Sequence, residues 1–176
     1  MSTEIEQVTR WLDEVVIGLN LCPFAKQPRR NEQVRFVSST ADQPEALLED
    51  VYDELSLIEQ TETIETTLLI VPKLLSDFDE YNQFLDLVDQ LLIKFDWDGT
   101  FQVASFHPDY CFADTAPDSM ENLTNRSPFP ILHIIREASI EKAVENITAP
   151  DEVYKNNIQT VSNLSQEQIK KLFYYL

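Results

Sequence analysis

Glycine is nearly absent from this chain: among 176 residues only Gly18 and Gly99 occur. A P-loop or a GxGxxG turn needs several glycines so that backbone N–H groups can approach phosphate oxygens, which excludes Walker-type NTPases and Rossmann dinucleotide binders. Cysteine is as scarce. Cys22 and Cys111 stand far apart without a CxxC pair, so no disulfide framework is expected and a reducing cytoplasm is the natural setting. In that setting the sequons at Asn122 and Asn125 carry no meaning. Cations are outnumbered, with 13 Lys and Arg against 31 Asp and Glu, for a net charge of −18. Such a surface repels phosphate backbones, so nucleic acid is not an expected partner. No apolar run approaches the roughly 18 residues of a membrane span, and the acidic start (Glu4, Glu6, Asp13, Glu14) lacks the basic region of a secretory signal. No membrane association is expected.

Apolar content is not lacking. At 43% hydrophobic residues, ten of them Phe, the chain is rich enough to bury a core, and its length suits one domain over residues 1–176. A Thr3-x-x-Glu6 capping box opens a helix to about Leu19, striped by Ile5, Val8, Leu12, Val15, Val16 and Leu19, with Gly18 near its end and Pro23 preventing continuation. Gln33 to Ser38 alternates as a strand. Asp42 and Pro44 begin a second helix, and Thr66 to Val71 is continuously apolar, as a strand covered on both faces is. Ser76 is placed to cap a third helix. The turn Asp98-Gly99 precedes a strand from Phe101 to Phe106, and a polar, proline-bearing connection with one helical turn near Asp118 to Leu123 leads to a strand from Ile131 to Arg136. Ser139 is then expected to cap a short helix, Pro150 to open another, and Ser165-x-x-Gln168 to cap the last.

Strands separated by helices of this length join as right-handed crossovers. The expected fold is therefore α/β, a single-domain three-layer sandwich with a mostly parallel four-stranded sheet flanked by helices. The direction of the fourth strand stays open, because residues 107–130 contain no full crossover helix. Ligands in open α/β sheets sit beyond the carboxyl ends of the strands, here Ser38-Ser39-Thr40, Pro72-Lys73 and His107-Pro108-Asp109. An antiparallel fourth strand would bring Asn125-Arg126-Ser127 to that rim; a parallel one would bring Arg136-Glu137.

The two histidines of the chain, His107 and His133, fall within this last region. His107 with Asp109 could form a general base and its orienting carboxylate, or a turn histidine bonded to backbone. His133 alternates with Ile131 and Ile135 on an apolar strand and reads equally as a satisfied core histidine. Cys22 follows a helix near Lys26, Arg29 and Arg30, cations that lower a thiol pKa, although an unpaired cysteine is most often a small buried hydrophobe. Arg126 and Arg136 each require an anion, supplied either by an internal carboxylate or by a bound ligand. A metal would need Cys22, His107, Asp109 and His133 to converge without zinc-type paired spacing, so no metal or cofactor is expected.

Three blocks carry a resemblance: Val16-Ile17-Gly18-Leu19-Asn20-Leu21-Cys22-Pro23-Phe24-Ala25, then Phe106-His107-Pro108-Asp109-Tyr110, then Asn125-Arg126-Ser127-Pro128-Phe129-Pro130 with Leu132-His133 and Arg136-Glu137-Ala138. With these the chain resembles the domain of unknown function family 1415, a group of bacterial proteins of about this length. The resemblance implies no activity, but it implies that the Cys22, His107/Asp109 and Asn125/Arg126 blocks form one site. It departs at Cys111, where Gln is expected, and at Asn156, where Arg is expected. The functional expectation is a cytoplasmic enzyme acting on a small anionic metabolite. In it Cys22, His107 and Asp109 would do the chemistry, with Asn20, Asn125, Arg126, His133 and Arg136 binding substrate. The alternative is a non-catalytic binding or regulatory module for an anionic ligand or protein partner.

Overall fold

A computed structural model describes residues 3–145 and 150–176 of the chain. The Thr3 capping box is formed, its hydroxyl accepting from the Glu6 N–H and the Glu6 carboxylate accepting from the Thr3 N–H, and it starts α1 (Glu4–Trp11). The helix does not run on as an α-helix. Leu12–Ile17 is a π-helical segment that ends at Gly18, and the Leu21 N–H still reaches back five residues to the Val16 carbonyl at 2.9 Å. Gly18 is required there for space: a Cβ would lie 2.2 Å from the Glu14 carbonyl oxygen. The basic stretch after it forms a short helix, α2 (Lys26–Arg30).

Four strands follow the expected positions: β1 (Val34–Ser38), β2 (Thr66–Ile70), β3 (Phe101–Phe106) and β4 (Ile131–Arg136). Their order in the sheet is β1-β2-β4-β3. The sheet is open and mixed, not mostly parallel. Only β1 and β2 pair in parallel, while β4 runs antiparallel to both β2 and β3. The cause lies in residues 107–130. They hold only a single turn of 3-10 helix, Met120–Thr124, so no crossover returns the chain to the other end of the sheet and β4 starts where β3 stops.

The helices α3 (Pro44–Gln60) and α4 (Phe78–Lys94) connect β1 to β2 and β2 to β3. They share one face of the sheet, where Leu47, Val51, Leu55, Tyr81, Phe84 and Val88 pack on Leu69, Leu132 and Ile134. The opposite face is covered by Val8, Trp11, Leu12 and Val15 together with Val161 and Phe173, packed on Leu68, Ile70 and Ile131. Val161 belongs to α6 (Pro150–Ser162), and Phe173 directly follows α7 (Gln166–Leu172). The result is an α/β architecture with cores on both faces of the sheet.

Two caps differ from the sequence expectation. Asp77, not Ser76, caps α4, its carboxylate accepting from the Asp79 and Glu80 N–H groups at 2.9 and 3.0 Å. Arg136 occupies the N-cap of α5 (Glu137–Val144). Ser139 therefore lies inside that helix, where its hydroxyl donates to Glu65. The Ser165–Gln168 capping box of α7 is formed as expected.

Candidate functional site

Both ends of the connection between β3 and β4 lie at one rim of the sheet. The His107 N–H donates to the Asn125 carbonyl at 3.2 Å, and the Ser127 N–H donates to the His107 carbonyl at 3.4 Å. The His107/Asp109 and Asn125/Arg126 blocks are therefore neighbours, as an antiparallel β4 requires. At the same place the buried Tyr81 hydroxyl donates to the Ile131 carbonyl at 2.7 Å and accepts from the Phe106 N–H at 3.2 Å. It stands between groups that would otherwise pair across the last rung of β3 and β4.

His107 is fully buried, with its ring 5.2 Å from those of both Phe78 and Tyr81. Its Nε2 lies 2.9 Å from the Leu75 carbonyl, which can only accept, and its Nδ1 accepts from the Asp109 N–H at 3.0 Å. The ring is thus a neutral Nε2–H tautomer with both nitrogens engaged by backbone. Burial pushes its pKa down, against smaller opposing effects from the Leu75 carbonyl, Asp109 and Asp77. The Leu75 it holds has φ 58, an uncommon conformation for a branched side chain. Asp109 turns its backbone, not its carboxylate, to the ring, and is exposed.

Cys22 lies on the other face of the sheet. It is half-buried against the core formed by α1, the π-helical segment and the C-terminal helices, with Phe106, Phe129 and Tyr175. Burial pushes its thiol pKa up, outweighing hydrogen bonds with the backbone of Phe24 and Ala25. The cations of α2 do not reverse this: Arg29 is committed to Asp13 at 2.8 and 3.0 Å. The thiol and His107 thus face different cores, and no Cys–His pair is formed. Asn20 is exposed and left-handed, with φ 55, at the exit of the π-helical segment.

His133 sits in the middle of β4, on the Cys22 side of the sheet, its ring 6.0 Å from that of Phe106. The Thr66 hydroxyl gives its proton to the Ile134 carbonyl at 2.7 Å, so His133 Nε2, 2.6 Å from that hydroxyl oxygen, must be the donor. Loss of hydration pushes its pKa down to about 4. Arg136 ends β4 at the opposite rim, opposite Phe101 in register and about 17 Å from Ile131 at the usual rise per residue. Its guanidinium donates to the carbonyls of Ile58, Thr61 and Ile64. These close the carboxyl end of α3, where the helix dipole supplies the negative pole that a strand-end arginine needs. Arg136 therefore does not join the others.

Arg126 is different. Its carbonyl is fixed by the Trp11 indole N–H at 3.0 Å and the Tyr175 hydroxyl at 3.2 Å. Its Nε donates to the Tyr110 carbonyl at 3.3 Å and its Nη2 to the Pro117 carbonyl at 2.6 Å. None of the ion pairs among the described residues includes it. Of the five N–H groups of a guanidinium, three are left without a partner among those residues. The nearby Asn125 amide donates one hydrogen to the Ser105 carbonyl at 3.2 Å, and its oxygen accepts from the Thr124 hydroxyl at 3.1 Å. The loop itself is ordered by Asn122, fully buried, which holds the Phe112 N–H, the Thr115 hydroxyl and the Ala116 carbonyl within 3.0 Å.

The sequence reading passed over one concave feature. A cleft of about 170 Å³ opens beside the end of β1, lined by Ser38, Ser39 and Thr40 and by Asp50, Asp53 and Glu54 of α3. The rim rule pointed to the hydroxyl residues but not to the acids of α3. Among the described residues, no group of His, Cys, Asp and Glu is arranged to hold a metal ion. No helix there is long and apolar enough to cross a membrane.

Fold and rim together define an open mixed-sheet α/β protein with a loop-borne arginine at the end of its antiparallel strand. The chain belongs to the protein family of unknown function DUF1415, whose model matches residues 3–171. No curated protein and no solved structure matches it.

Proposed function

We propose that this protein is a non-catalytic binding module that takes an anionic group, a small carboxylate or phosphate compound or a peptide carboxylate, against Arg126. The observation that carries the reading is a half-buried arginine whose guanidinium has three donors unspent and no carboxylate partner among the described residues, in a chain of net charge −18. Carbonyls satisfy two of its hydrogens but leave its charge uncompensated, and a planar fork of donors is the geometry that carboxylate and phosphate oxygens accept. The residues that an enzyme reading would use support it less. Cys22 favours the thiol over the thiolate, and His107 has no free nitrogen with which to move a proton. Two unpaired, half-buried thiols suit a reducing compartment, and on that ground we assign the protein to the bacterial cytoplasm.

Isothermal titration with phosphate, citrate and an N-acetylated dipeptide tests the reading. At least one should bind saturably to the wild-type protein. Arg126→Ala should weaken that binding about 10-fold or more, as loss of a charge-assisted hydrogen-bonding group does, while circular dichroism reports an intact fold. Arg126→Lys, which keeps the charge but not the fork, should fall between. Affinities equal in all three proteins would overturn the assignment.

A further inference from the structure

β1 is an edge strand, paired only with β2. In a parallel ladder alternate residues bond to the neighbour: Ser39 N–H reaches the Ile70 carbonyl at 2.8 Å and the Gln33 carbonyl accepts from Glu65 at 2.9 Å. Val34, Phe36 and Ser38, the residues out of phase with these, present their N–H and C=O groups outward, and those groups meet no partner among the described residues. The other edge is better closed. There the Phe101 N–H is held by the Trp97 carbonyl at 3.0 Å and the Ser105 carbonyl by the Asn125 amide at 3.2 Å. β1 has no proline and no lysine, and its one charged residue, Arg35, is tied to Glu54 of α3.

The acidic cleft adjoins this edge. Of its three carboxylates, Glu54 takes the Arg35 guanidinium at 2.7 and 3.0 Å and Asp50 accepts from the Ser39 hydroxyl at 2.5 Å, while the Lys73 ammonium sits at the rim on the Thr40 carbonyl at 3.2 Å, so three negative charges meet two positive ones. Asp53 is exposed and takes part in neither pairing. A row of unpaired backbone groups leading to a cleft with surplus negative charge is complementary to one kind of partner. We infer that the β1 edge receives an extended segment of a partner protein as a fifth strand, with a lysine or arginine of that segment entering the cleft at Asp50 and Asp53. The net charge of −18 favours this occupant over a second copy of the chain, which would bring the same sign to the same place. The surface is separate from Arg126, since β2 lies between β1 and β4.

Three blocked peptides test this on the full chain: alternating Lys-Val, alternating Glu-Val, and alternating Lys-Pro, which has the charge of the first but too few N–H groups for a ladder. Fluorescence anisotropy should show Lys-Val binding at least about five-fold tighter than Lys-Pro, and Glu-Val not binding. Asp53→Asn should weaken Lys-Val about two- to five-fold, the range of a partly exposed ion pair. Hydrogen exchange at Val34, Phe36 and Ser38 should slow in the complex. Equal binding of Lys-Val and Lys-Pro would reduce the effect to bulk charge attraction and overturn the inference. So would a peptide-free dimer in which those amides are already protected.

Discussion

Replacing His107 by Ala removes a ring whose two nitrogens each hold a backbone group, and the loss can be worked from the structure. Leu75 is 8% exposed, so its carbonyl would be left without a donor in a site that water scarcely reaches. A buried carbonyl stripped of its partner costs about 1–3 kcal/mol, and loss of the Asp109 N–H bond adds about 1 kcal/mol. The imidazole also fills the space between Phe78 and Tyr81, and an unfilled gap of that size adds about 1–2 kcal/mol. The sum is about 4 kcal/mol, or a fall of about 2 M in the urea midpoint for a slope of about 2 kcal/mol/M. Urea unfolding followed by Trp fluorescence measures it directly. Since Leu75 is held left-handed by this bond, the loop from β2 to α4 should also lose hydrogen-exchange protection in the variant. A His107→Ala protein with an unchanged midpoint would refute the structural role assigned to the ring and return it to candidacy as a base.

Other substitutions probe other parts of the account. Arg136→Ala should destabilise by about 3 kcal/mol by freeing three carbonyls at the end of α3, and Arg136→Lys should recover little because one ammonium cannot span them; thermal unfolding compares the two. Thr67→Val should raise Tm by about 3 °C, because the Thr67 hydroxyl is buried with no hydrogen-bond partner among the described residues and Val has its shape. The stability that neutral His133 contributes is fully present above the unfolded pKa of about 6.5 and should be lost as pH falls towards its folded value of about 4. Relative to His133→Gln, wild type should therefore lose up to about 3 kcal/mol across that window, read from urea midpoints between pH 7.5 and 4.5. A flat difference profile would contradict the burial of the ring.

The helices and strands were legible because their apolar periods are long and clean: the stripe from Phe78 to Leu92 and the run Thr66–Ile70 admit one reading each. The direction of β4 was not, since it depends on a connection whose shape is set by one buried amide, Asn122, acting at distances of six to ten residues. No local period records that. The π-helical turn left only the trace of Gly18, whose need for space comes from a carbonyl four residues earlier. At the site, residue type misled where geometry decides. His107 and Asp109 have the spacing of a dyad, yet the group that meets the ring is the Asp109 N–H. Arg136 required a negative partner, as its type suggests, and found it in the end of a helix. Cys22 stands near cations in sequence, but the nearest of them in function, Arg29, is neutralised by Asp13. Arg126 drew notice in the sequence because a guanidinium inside a proline-stiffened loop has few ways to be satisfied, and the described residues supply two of them.

The proposal that this rim recognises an anion rather than performing nucleophilic chemistry is tested most directly by the rate of Cys22 alkylation as a function of pH. In a Cys111→Ser background, iodoacetamide should label Cys22 slowly, with the rate still rising beyond the ordinary thiol pKa of about 8.5, because burial holds the proton on sulfur. A rate that has already levelled off by about pH 7 would reveal a stabilised thiolate and contradict the account.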